Sequence, residues 1–239
     1  MATRTLRIVN ESSYEPPDGD ASMRAIAQAV TIQLRQVATM WGAAVWQVVD
    51  DAHRRGFRIV LQDNDGTASD DGYHDLDPHG RPFAMVFLDP ILNHDGTWLS
   101  GANSVSATVS HEACEFVVDP ATNRWAQNTN NSMWSLEVCD PVQAFSYRVT
   151  LRNGNKIAVS DFACPAWCNP WAPRGARIDW MRKLHWPFAI APDGYATRFS
   201  GGRTRTVWGP DYPAWRKRTK RVCGSRTWRR HIYGGNCCD

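Results

Sequence analysis

Apolar residues recur with a helical period near the start of the chain. Met23, Ile26, Ala27, Val30, Leu34 and Val37 fall at i, i+3, i+4 and i+7 spacings. They give one apolar face to a helix from about Ser22 to Ala38, with Ser22 available as its cap. Shorter segments are strand-like: Thr5 to Val9 alternates, and Ala43 to Val49, Phe57 to Gln62 and Phe83 to Leu88 are apolar runs, the last ended by Asp89-Pro90. Residues 10–21 and 63–71 are polar, with Pro16-Pro17 and Gly66, and read as loops. A second helix is predicted over 104–119, where Val105, Val109, Phe116 and Val117 can face a core and Pro120 stops the element. A turn at Gln127 to Ser132 follows. Ala144 to Leu151 and Lys156 to Ser160 then flank Asn153-Gly154, a strong hairpin signal. After Asp161 the pattern dissolves into Trp, Pro and Gly, so the end of the chain is expected to be loop-rich.

Composition adds two points. The chain has 239 residues with 43% hydrophobic and 21% charged residues, enough apolar material for a folded core. Twelve tryptophans, many beside Pro or Gly, suggest loops pinned by large aromatic anchors. No apolar run is long enough to span a bilayer, and the first residues lack the apolar core of a secretory signal. Synthesis in the cytoplasm, without a secretory signal, is therefore the expectation.

Charge divides the chain unevenly. Residues 201–239 hold ten Lys/Arg and two acids, against 17 Lys/Arg and 22 acids in the rest. A boundary is expected near Ser200 to Gly202, separating a body (1–200) from a basic extension (201–239). Seven cysteines, five of them in the last third, lack CxxC spacing. This argues against a four-cysteine zinc ribbon and leaves disulfide stapling of that end as an expectation.

The chemistry concentrates in His111-Glu112-Ala113-Cys114-Glu115. Residues four apart on a helix lie on one face, so His111 and Glu115 can share a metal ion. Glu112, one position round, sets its carboxylate beside that ion, where a metallopeptidase keeps the base that activates water. Zinc is the expected ion, although carboxylate ligands also admit other divalent cations. A third ligand must come from elsewhere. Asp119 extends the stripe but drifts about 80° from His111 at roughly 100° per residue. Glu137 and Asp140 lie in Glu137-Val138-Cys139-Asp140-Pro141. Glu137 is favoured as third ligand, with Asp140 or Asp119 orienting His111. Cys114 and Cys139 flank these positions, either bridged or packed as thiols, or as thiolate ligands. The remaining histidines, His74 among them, read mainly as loop residues, although His74 could reach a metal.

The run Ser110 to Pro120, the segment Glu137 to Val142, Val159-Ser160-Asp161-Phe162, Gln33 to Val37 leading to Trp41-Gly42, Gly72 to Leu76, Pro165-Ala166-Trp167 and Asp193-Gly194-Tyr195 together resemble a family of phage and prophage proteins described as zinc-metallopeptidase-like or virion proteins. The resemblance covers roughly residues 5–200. It implies an α+β fold with a zincin-like body, built of an N-terminal helix, a small mixed sheet, an active-site helix and a hairpin. It also implies His111 and Glu115 as metal ligands, Glu112 as catalytic base, and a place in the phage virion. The expected function is peptide-bond hydrolysis, with Phe83 to Leu88 holding an extended substrate at a sheet edge. The alternative is a structural head, neck or tail protein that keeps the body as a scaffold. In either case residues 203–230, where Arg and Lys interleave with Trp208, Trp215 and Trp228, are expected to dock on acidic surfaces of other virion proteins. Nucleic acid is the less favoured partner, because no nucleic-acid fold signature is present.

Overall fold

The computed structural model describes residues 4–51, 53–64 and 71–211. The chain opens with β1 (Arg4–Asn10) and α1 (Asp20–Trp41), then β2 (Trp46–Val49), β3 (Phe57–Gln62), β4 (Gly72–Leu76) and β5 (Pro82–Phe87). These strands form one sheet in the order β2-β1-β3-β5-β4. All neighbours are parallel except β4, which runs antiparallel to β5 at the edge. A single turn, α2 (Asp89–Leu92), leads to α3 (Val105–Val118). With eleven strands, mixed sheets and three helices, the described residues form an α+β protein.

α1 buries the predicted stripe of Met23, Ile26, Ala27, Val30, Leu34 and Val37. It runs three residues past the predicted end at Ala38, to Trp41, where Gly42 takes the left-handed φ of 62° that closes a helix. Ser22 lies inside the first turn, and its hydroxyl accepts from Asp18 N rather than serving as N-cap.

α3 begins at an N-cap, Ser104, whose hydroxyl accepts from Ala107 N at 3.2 Å. Twelve of its fourteen residues are buried. It contacts α1, the sheet, and the hairpin of β8 (Ser146–Thr150) and β9 (Lys156–Ser160). Ser110 ties helix to hairpin: its hydroxyl donates to Ala107 O and accepts from Ser160 N at 2.7 Å.

A second sheet, in the order β11-β10-β7-β6, comprises β6 (Trp125–Gln127), β7 (Met133–Ser135), β10 (Tyr195–Ser200) and β11 (Arg203–Trp208). The expected loop-rich end therefore contains a regular hairpin, closed by Gly201-Gly202, and the expected boundary after residue 200 falls inside its turn. The rest of the basic segment, from residue 212, lies outside the described residues.

Between β9 and β10 the chain is irregular but anchored. Trp167 is fully buried against Trp134 and Phe188, and its indole N–H donates to Ala189 O at 2.7 Å. Cys114, Cys139, Cys164 and Cys168 are free thiols, so no disulfide joins the described cysteines. Cys114 and Cys139 instead lie thiol to thiol in the core, and burial pushes Cys139 well above the usual thiol range.

Candidate metal centre

Three elements converge on a cavity of about 440 Å³: α3 supplies His111, Glu112 and Glu115, β4 supplies His74, and the turn after β7 supplies Glu137 and Asp140. Each element is held separately. The turn is fixed by Glu115, whose Oε1 accepts from Cys139 N (3.1 Å) and Asp140 N (3.3 Å). From behind, Pro141 O accepts from Ala191 N, and Gln143 donates to Asp193 O. β4 comes close because it has no side chain at Gly72. A Cβ there would stand 2.9 Å from Glu112 Oε1 and 2.8 Å from Met85 O.

The ligating atoms form two groups that share Glu115. In one, His111 Nε2 lies 3.4 Å from Glu115 Oε1 and 3.3 Å from Asp140 Oδ1. The other joins His74, Glu115 and Glu137, with His74 Nδ1 3.5 Å from Glu115 Oε2 and His74 Nε2 3.7 Å from Glu137 Oε2. These separations are long for charge-assisted hydrogen bonds, which close to roughly 2.7–2.9 Å. Ligand bonds of about 2.0–2.2 Å in a tetrahedron put neighbouring donor atoms about 3.3–3.6 Å apart. The two separations from His111 match that edge length, and both clusters could hold a metal ion.

The electrostatics are those of a buried, mutually dependent set. Burial lowers His74, but the carboxylates of Glu112 and Glu115 that face its ring outweigh it and push the imidazole up to about 9. Burial likewise opposes the charge on His111, yet Glu115 and Asp140 hold it well above its usual value. Burial would raise Glu115; the two imidazoles overcome this and keep it well below the usual carboxylate range. Glu112 ends the other way, raised by burial against the pull of His74 and His111.

The structure gathers five of the six sequence-predicted site residues here. Asp140 closes the group with His111 and Glu115, the position for which Glu137 was favoured, while Glu137 pairs with His74. Asp119 stands outside both groups. Its carboxylate accepts from Asn123 N and Arg124 N and shapes the turn after α3; its carbonyl oxygen lies 3.1 Å from His74 Nε2. His74 itself is on a strand, almost fully buried, at the centre of the cluster rather than in a loop. The strand expected to offer an edge, Phe83 to Leu88, is β5, which is flanked by β3 and β4; the sheet edge beside the cavity is β4.

Compared with protein-family profiles, with curated proteins and with solved structures, the chain matches none.

Proposed function

We propose that this protein is a metal-dependent hydrolase of peptide bonds with a zincin-like body, acting as part of a bacteriophage particle. One observation carries the catalytic reading: Glu115 Oε1 and Asp140 Oδ1 each stand at tetrahedral spacing from His111 Nε2, beside the buried carboxyl of Glu112. His111 is the most exposed of the three, its side chain 14% accessible against 4% and 6%, so the group opens toward the cavity at that point. One imidazole and two carboxylates suit zinc and also harder divalent cations.

A bound divalent cation would acidify water and polarise a carbonyl. The chain's own contribution is the proton inventory and the positioning. Glu112, raised by burial, is the acceptor for the proton of the attacking water and then its donor to the leaving amine. The edge of β4 offers main-chain groups along which an extended peptide can lie, with Gly72 and Tyr73 on the cavity wall. The zincin-like reading is supported by the mixed sheet, whose one antiparallel strand is the edge nearest the motif-bearing helix.

The particle assignment is supported by the family resemblance of residues 5–200 and by the basic C-terminal segment. A second reading, a structural particle protein on the same scaffold, is favoured by Trp171 and Trp186, which are 78% and 68% exposed. The two readings part on Glu112→Gln. In a hydrolase, this variant keeps its metal by elemental mass spectrometry and loses about 10²–10⁴-fold in peptide turnover. Wild-type protein that is folded yet takes up no divalent ion leaves the structural reading.

A further inference from the structure

We propose that the same cavity binds a second divalent cation, held by His74, Glu115 and Glu137, with the Glu115 carboxylate bridging the two ions. This rests on the hydrolase reading only through the first ion, which takes the other oxygen of Glu115.

The division of Glu115 is the first support. Oε1 faces His111, and Oε2 faces His74 at 3.5 Å, so one carboxylate spans two imidazoles. A carboxylate that joins two ions in this way is the arrangement of two-metal hydrolase sites, where the ions stand about 3.5–4 Å apart. The second support is the orientation of His74. Its Nε2 lies 3.1 Å from the carbonyl oxygen of Asp119, an acceptor that places the N–H there. Metal-bound histidines are commonly anchored through the other ring nitrogen in this way. Nδ1 then faces Glu115 Oε2, and also Glu112 Oε2 at 3.7 Å, and one ligand atom each of His74, Glu115 and Glu137 lies within 4.8 Å of the others. That Glu112 oxygen is buried and accepts no hydrogen bond from the described residues. A ring nitrogen and two carboxylate oxygens facing one another in a buried space call for positive charge between them.

Charge balance points the same way. Glu112, Glu115, Glu137 and Asp140 are all buried in one cavity with two histidines. Metal binding releases the protons the imidazoles otherwise hold, so four carboxylates match two divalent ions, whereas one ion leaves an excess of buried negative charge.

The test is metal stoichiometry on the full chain, loaded with Mn²⁺ by equilibrium dialysis and read by elemental mass spectrometry and electron paramagnetic resonance. About two Mn²⁺ per chain and an exchange-coupled spectrum are expected for wild type. His74→Ala should fall to one ion with an isolated-ion spectrum, as should His111→Ala. Circular dichroism checks the fold, and Glu137→Gln serves as the second variant if His74→Ala fails to fold. One ion in wild type, retained in His74→Ala or Glu137→Gln and lost in His111→Ala, overturns the second site and leaves the hydrolase reading standing. That outcome would mean a proton on Nδ1 does what the second cation is proposed to do. No ion in folded wild type overturns both.

Discussion

Asp161 and Asp179 provide a measurable test of the electrostatics next to the site. Both are fully buried where β9 gives way to the irregular segment. Asp161 Oδ1 accepts from Phe162 N (2.8 Å) and Met181 N (3.1 Å), and Asp179 accepts from Lys183 N and Leu184 N. Burial, then the hydrogen bond and charge of Asp179, push Asp161 from 3.8 up to about 8. Between about pH 4 and pH 8 the unfolded chain has lost this proton and the folded chain still holds it. Stability from this group is therefore complete below pH 4 and falls as pH rises, by about 1.4 kcal/mol per unit. Many other groups titrate in the same window, so the informative quantity is a difference between two proteins. Asp161→Asn keeps the size and carries no proton to lose. Its stability relative to wild type should grow by roughly 2–3 kcal/mol between pH 5 and pH 7, or about 5–10 °C in Tm for a chain of this size. Thermal melts of both proteins in matched buffers across pH 5–8 measure it. A difference that stays constant with pH would refute the reasoning, because it would mean that Asp161 ionises alike in the folded and unfolded chains.

Two further outcomes concern the metal centre. Chelation should lower the Tm of metal-loaded protein, and Zn²⁺ at a hundred times its Kd should restore about 2.7 kcal/mol, whereas Glu115→Gln should show little response to either. Gly72→Ala, which sets a methyl group against Glu112 Oε1 and Met85 O, should weaken metal binding and cost about 1–3 kcal/mol in denaturant unfolding. Unchanged affinity and stability would show that β4 can shift away from α3 freely.

What the sequence revealed and what it concealed follow from the range of each signal. α1 was legible because its six apolar positions repeat within a single element, and α3 because Val105, Val109, Phe116 and Val117 can face a core and Pro120 stops it. The 146–160 hairpin was legible through Asn153-Gly154. β4 escaped because the residues it buries are His74 and Asp75, and hydrophobic periodicity cannot register a strand whose inward positions are polar for the sake of a site. β10 and β11 escaped for a different reason. Alternating residues on either side of Gly201-Gly202 are a hairpin signal, but the arginines of β11 invited reading it as part of a basic tail. The exchange between Glu137 and Asp140 was beyond sequence altogether. They lie three residues apart in one turn, and which acid meets which imidazole depends on how β4 and α3 face that turn.

Burial separates the His-Glu-x-x-Glu motif from an ordinary solvated helix face. Charged residues on a helix usually mark a solvated face, and such a face would leave Glu112 and Glu115 exposed. Here each is 3% exposed, because the sheet, α1 and the β8–β9 hairpin enclose α3. Carboxylates taken out of water need compensation. Two backbone N–H groups and two imidazoles compensate Glu115, whereas Glu112 Oε2 accepts no hydrogen bond from the described residues. Structural economy would replace Glu112 with an apolar residue, since hydrophobic substitution of buried ionic groups is often neutral or stabilising. That buried carboxyl, set beside two imidazoles and three other acids, is the feature on which the hydrolase proposal rests.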